Sequence, residues 1–223
     1  MALLEVSGIT VRFGGNVALD DVSLAADPGI VTGLLPPNRG ATRLGGRDLA
    51  RVSPTKRARL GLARTFQRLE LFSLLSVREN IRVAADVREG WSHDRDDPAA
   101  VVERIIERVG LTDVADARVD SLPTGQCRLV ELGRCLATKP KVLLLDEPAS
   151  GQDESETVVF AELLRTLAAE GITVVLVEHD VHLVMDVCTQ VHVLDFGRII
   201  ASGTPSEIQR DEAVLSAYLG TNS

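Results

Sequence analysis

The stretch Val142-Leu-Leu-Leu-Asp146-Glu147-Pro-Ala-Ser150-Gly151-Gln152-Asp153 decides how this chain reads. Four apolar residues running into two acids predict a buried strand with carboxylates at its end. That arrangement suits a nucleotide hydrolase, in which one acid holds Mg²⁺ and the next orients or deprotonates water. The loop that cradles a triphosphate, however, requires a Gly-rich turn followed by Lys and Ser or Thr. The chain has three lysines, Lys56, Lys139 and Lys141, and none follows such a turn.

Outward from this strand, the second half alternates strands and helices. Strands are predicted at 141–146, 172–177, 190–195 and 198–201, helices at 154–169 and 180–187, and two short helices follow. Such alternation implies βαβ units and a mostly parallel sheet, hence an α/β fold. In the first half, residues 3–13 alternate as a strand up to Gly14-Gly15, and Val17–Ala25 reads as a second strand. Gly29-Ile-Val-Thr-Gly33 reads as a short buried strand, and Gly45-Gly46 as a tight turn. Ser53-Pro54 opens a helix to about Leu60, and Ser76 caps another through Ala85, followed by a polar loop over 88–97. Val101, Val102, Ile105, Ile106 and Val109 give an amphipathic helix from Pro98 that stops at Gly110.

At 223 residues the chain is long enough for one large domain, or for a core with a small subdomain. A formal charge of -8 weighs against nucleic acid as a partner, because phosphate backbones demand a basic face. Cys127, Cys135 and Cys188 form no C-x-x-C pair, which predicts reduced thiols and a cytoplasmic setting. His179 and His182 lack the further ligands of a metal pair. The N-terminus has neither the basic nor the apolar region of a signal peptide. No apolar run reaches the length of a bilayer span, so any membrane role is expected to come through a partner.

Individually, the remaining motifs are ordinary. Leu122-Pro-Thr-Gly-Gln126 is a helix start, although its N–H groups could also grip an anion. Gln67 leaves a strand, His179 ends one, and Phe13 before a glycine turn reads equally as core. Their order carries more information. Aromatic-Gly-Gly, Thr-Phe-Gln, Leu-Pro-x-Gly-Gln, Leu-Leu-Leu-Asp-Glu-Pro, Ser-Gly-x-Asp and Val-Glu-His-Asp follow one another along the chain. This series resembles the ATP-binding subunits of ABC transporters, and most specifically so from Leu122 onward. Ala63-Arg-Thr-Phe-Gln67, the Leu-Pro-x-Gly signature and the ending Ala217-Tyr-Leu-Gly220 resemble the branch that serves branched-chain amino-acid importers.

The resemblance implies a role for each motif. Phe13 would stack on adenine, and Gln67 would sense Mg²⁺ and the membrane subunit. Leu122, Thr124, Gly125 and Gln126 would form the signature that contacts ATP bound by the opposite subunit, with Pro123 where Ser is more widespread. Asp146 would bind the metal and Glu147 would be the catalytic carboxylate. Ser150, Gly151 and Asp153 would cross the dimer interface, and His179 would meet the γ-phosphate. It also implies ATP and Mg²⁺ as cofactors, with transmembrane permease subunits and a second ATP-binding subunit as partners. The protein would then lie on the cytoplasmic face of the membrane. The expected layout is an ABC-type core over 1–67 and 140–203 with an N-terminal antiparallel β subdomain, a helical signature subdomain over 68–139, and C-terminal helices over 204–223.

One part of the pattern is missing. Where family members place Gly-Pro-Asn-Gly-Ala-Gly-Lys-Thr-Thr and a long helix, this chain runs Gly33-Leu-Leu-Pro-Pro-Asn-Arg-Gly40 and then Arg43-Leu-Gly-Gly-Arg-Asp-Leu49. Either Pro37-Asn-Arg-Gly40 is a scrambled phosphate loop, or a segment including the first core helix has been excised whole. Excision is favoured, because the match resumes on both sides. Both alternatives predict weak ATP and Mg²⁺ binding and an uncovered apolar region of sheet. Four functions stay open: an ATPase subunit of an importer, a non-catalytic partner that lends its signature, a decayed product, and a soluble regulator that keeps the fold as an interaction module.

Overall fold

The alternating residues of Leu4–Phe13 build strand β1, which places Leu4, Val6, Ile9 and Val11 in the core. It pairs antiparallel with Asn16–Val22 (β2) on one side and with Arg39–Leu44 (β3) on the other. Arg47–Asp48 (β4) completes a four-stranded sheet in the order β2-β1-β3-β4. The β3–β4 hairpin turns at Gly45-Gly46, and both glycines have positive φ. The computed structural model describes residues 3–13, 16–23, 31–35, 37–94 and 96–219.

Leu62–Arg64 (β5), Val142–Asp146 (β6) and Thr173–Val177 (β7) form a parallel sheet in the order β5-β6-β7. β6 lies in its centre with Val142–Leu145 fully buried, whereas Thr173–Leu176 of β7 are only half-buried and Val177 is exposed. Among the described residues no strand pairs with the second edge of β7. Val191–Asp195 (β8) and Arg198–Gly203 (β9) pair antiparallel. The sequence reading placed them in a mostly parallel sheet. A two-residue link at Phe196-Gly197 allows only a hairpin, since parallel neighbours need a long crossover.

The helices are Pro54–Arg59 (α1), Val77–Glu89 (α2), Pro98–Arg108 (α3), Thr124–Ala137 (α4), Glu154–Ala169 (α5), Val181–Val187 (α6), Pro205–Ile208 (α7) and Glu212–Leu219 (α8). Ser76 caps α2 with a full capping box, and the helix runs one turn beyond the expected end at Ala85. α3 and α5 lie where the apolar spacing put them.

The expectation for Gly29–Gly33 fails where it can be checked. Gly29 and Ile30 lie outside the described residues, while Val31 and Thr32 are helical rather than extended. The carbonyl of Val31 accepts a 2.7 Å bond from the buried Arg57 guanidinium, and Gly33 closes the turn at φ 84°. The same guanidinium binds the carbonyls of Leu49 and Val52, which fixes 31–33 to the β4–α1 connection.

The chain divides into two compact units, residues 1–57 with 180–223, and residues 58–179. The first holds the four-stranded sheet, the β8–β9 hairpin and helices α6–α8. The second holds the parallel sheet with α2 to α5. No described helix is long and apolar enough to cross a membrane.

Candidate functional site

In the second unit, β5, β6 and β7 end side by side and release Gln67, the pair Asp146-Glu147, and His179 from the same edge. Parallel register sets this alignment, because Arg64 pairs with Leu144 and Asp146 with Val177. Ligands of open α/β sheets bind at this carboxyl edge. β6 can deliver Asp146 there because four buried apolar residues hold the strand from both faces.

The loops are fixed by bonds from the backbone. Asp146 N–H donates to the Thr65 hydroxyl at 3.2 Å, and Thr65 N–H donates to the Leu144 carbonyl. Glu147 sits at φ 45°, in the left-handed region that non-glycine residues seldom occupy. Its N–H reaches the Val177 carbonyl at 2.9 Å, and its own carbonyl receives Ser150 N–H. The chain therefore turns sharply at Glu147, directly after β6. Glu178 has a side chain only 1% exposed, and it accepts Ala149 N–H at 2.9 Å and His179 N–H at 3.1 Å. This carboxylate ties the turn after Glu147 to His179, whose ring is largely exposed.

Gln67 is held from α4. The buried Arg128 donates to the Phe66 and Gln67 carbonyls at 2.8 and 2.7 Å. Glu131, also buried, accepts Phe66 N–H at 3.1 Å and pairs with Arg128 at 3.3 Å. Burial pushes the Glu131 carboxyl above the usual range, against the pull of Phe66 and Arg128. Leu132 and Leu136 are buried on this helix. The helix is buried nearly all round, and Leu129 is only half-buried.

Leu122–Gln126 forms the entry to α4, with Pro123 at the cap and no side-chain capping bond. The first-turn N–H groups of a helix have no intrahelical partner, so this end carries partial positive charge. Thr124 lies against Gly151, and the buried Gly125 lies against Glu156. Asp153 caps α5 by accepting Glu156 N–H at 2.8 Å, and bonds from the Ser155 hydroxyl and Glu156 N–H hold its carboxyl below the usual range. The Leu122–Gln126 segment and the Ser150–Asp153 loop are thus neighbours.

Phe13 belongs to the other unit, and its side chain lies outside the described residues. The alternative phosphate loop, Pro37–Gly40, leads into strand β3. Arg39 pairs with Thr10, Asn38 N–H bonds to the Thr10 carbonyl, and the Asn38 side chain accepts Arg12 N–H at 2.7 Å. Gly40 packs on the backbone of Ser7 and Gly8, where a Cβ would fall within 2.6 Å of carbonyl oxygens.

Asp146 and Gln67 supply hard oxygen donors, as Mg²⁺ requires, and Mg²⁺ is commonly held by one or two carboxylates plus substrate phosphates. Among the described residues no cluster of three or more His, Cys, Asp or Glu could hold a metal unaided. Sequence reasoning missed Thr65, Arg128, Glu131, Glu156 and Glu178. Arg128 and Glu131 carried a signal, two charges three residues apart within an apolar helix, while Glu178 directly precedes His179.

Comparison with known proteins agrees with this geometry. Residues 29–150 match the sequence profile of the ABC transporter family, and residues 198–222 match that described as branched-chain amino acid ATP-binding cassette transporter. The chain is 34% identical over 249 residues to the high-affinity branched-chain amino acid transport ATP-binding protein BraF of Pseudomonas aeruginosa, with 98% of each chain covered. It is 32% identical over 253 residues to LivG of Escherichia coli K12, a protein of the same description, again with 98% of each covered. Among solved structures, MJ1267, an ATP-binding cassette of an ABC transporter, is similar with a TM-score of 0.86 at 25% identity, covering 98% of this chain and 99% of that one. The motif order, the shared strand edge and matches that span nearly the whole chain together show that this protein belongs to the ATP-binding domains of ABC transporters.

Proposed function

We propose that this chain is the ATP-binding subunit of an importer for branched-chain amino acids or similar solutes, and that it acts as the half of a dimer that donates the signature. The observation that carries this reading is a contrast within the chain. Leu122, Thr124, Gly125 and Gln126 lead into α4, with Thr124 against Gly151 and Gly125 against Glu156. Residues 37–44, in contrast, pass into β3, and no Lys-Ser/Thr follows a glycine turn in the sequence. The aligned span of 249 residues with BraF, against 223 in this chain, supports a segment present in that relative and lost here.

In this reading a second ATP-binding subunit supplies the phosphate loop, and this chain's signature closes over its nucleotide. Asp146 and Glu147 keep their positions for Mg²⁺ and water, and His179 for the γ-phosphate. Without a nest of N–H donors and a lysine, however, the chain's own ATP and Mg²⁺ are held weakly. Phe13 would meet adenine, and Gln67 would face the permease. The functional layout is a core over 1–67 and 140–203, a helical part over 68–139 and terminal helices over 204–223. The protein would sit on the inner face of the membrane through its permease partners.

The test mixes the purified chain with an intact homologous subunit and measures ATP turnover. The expected result is negligible turnover alone and a gain on mixing that Gly125→Ala abolishes and Glu147→Gln leaves intact. Turnover by the isolated chain that Glu147→Gln removes would overturn the proposal, as would a mixture no more active than the partner alone.

A further inference from the structure

Two close approaches join the signature to the loop after β6, and both occur within one compact unit. A Cβ on Gly125 would fall 2.7 Å from Glu156 Oε2 and 2.8 Å from Oε1, so the carboxylate lies directly on the glycine. A Cβ on Gly151, at φ 81°, would fall 3.0 Å from Thr124 Cγ2. Each motif therefore presents a glycine to a side chain of the other. The Oε2 atom that faces Gly125 also accepts Asp153 N–H at 3.0 Å. The reverse bond, Glu156 N–H to Asp153 Oδ1, closes a capping box.

Electrostatics act in the same direction. No side chain caps α4, so its first turn keeps its partial positive charge. A carboxylate against Gly125 is attracted to that turn while its second contact fixes the backbone of Asp153.

We propose that Glu156 is the positioning residue of the donated half: its carboxylate locks Gly125 of the signature and Asp153 of the interface loop into one preassembled surface. The proposal rests on the dimer reading given above. A residue that served only to start α5 would contact Asp153 alone, and its removal would be indifferent to what stands at position 125.

A double-mutant cycle separates the two cases, using the full chain with Gly125→Ala, Glu156→Ala and the pair. In the ¹⁵N-labelled chain without nucleotide, Gly125→Ala is expected to shift the Asp153 amide resonance and speed its exchange about tenfold, but to do neither when Glu156 is already alanine. ATP-dependent association with an intact homologous subunit is expected to weaken about tenfold for either single variant and little further for the pair, since contacting residues are non-additive. Glu156→Gln, which retains an acceptor for Asp153 N–H, is expected to recover part of that loss. Additive effects, or an Asp153 amide indifferent to Gly125→Ala, would overturn the lock. The amide measurement needs no partner, so it decides the lock even if association fails and takes the dimer reading with it. Should Glu156→Ala unfold, Glu156→Asp, whose shorter side chain withdraws the carboxylate from Gly125, provides the same cycle with Gly125→Ala.

Discussion

Arg128 and Glu131 show how a single buried pair organises this site. Both are nearly inaccessible, and between them they bond the backbone of Phe66 and Gln67 at the strand exit. Removing one member of such a pair leaves an uncompensated charge, so Arg128→Met is expected to cost roughly 3–5 kcal/mol in urea unfolding at neutral pH. The sign of its pH dependence follows from Glu131, whose carboxyl burial pushes upward. A raised carboxyl favours the folded state below its unfolded pKa and loses that advantage as pH rises through the folded value. The deficit of Arg128→Met should therefore shrink as pH falls from neutral towards the ordinary range of a glutamate. A deficit that grew with acid would contradict this assignment. Cys135 offers a second check, because complete burial pushes its thiol up to about 12. It is expected to resist thiol reagents at mildly alkaline pH until the protein unfolds, as read by mass spectrometry of the labelled peptide.

Among the elements, α2 and α4 depend on different kinds of termini. Ser76 accepts Glu79 N–H while Glu79 accepts Ser76 N–H, which satisfies both groups at the start of α2. Ser76→Ala is expected to lower stability by about 1 kcal/mol in chemical denaturation, with no effect on nucleotide-dependent association. α4 has no such cap, and its open end lies in the signature. The helix is instead held along its length by close packing on α2 and by the Arg128 and Glu131 bonds to the strand exit. The element that carries the signature is thereby held along its body, while no side chain caps its first turn. The boundaries of α3 were legible because its apolar period runs from Pro98 to the glycine that stops it. The turn at Val31–Gly33 was not, because a guanidinium 26 residues away decides where the Val31 carbonyl bonds.

For the whole molecule, the apolar residues of β7 are only half-buried, and among the described residues no strand pairs with its second edge. Val158, Val159 and Val177 are also exposed on the same unit. The isolated chain is expected to bind an apolar dye such as ANS in its native state, and association with an intact subunit is expected to leave part of that signal. Absence of dye binding by the native chain would show that this region is covered in solution. The sequence by itself determined the family, the order of motifs and nearly every strand and helix of the second half, because these rest on local periodicity and on residues adjacent in the chain. It also showed that no Gly-rich turn followed by Lys and Ser or Thr occurs along the chain. Only the tertiary structure decided that Pro37–Gly40 enters a strand, that Glu178 joins Ala149 to His179, and that Glu156 lies on Gly125. Each of those contacts joins separate elements across a loop or a helix, and no periodicity in the chain encodes which backbone N–H a buried carboxylate will find.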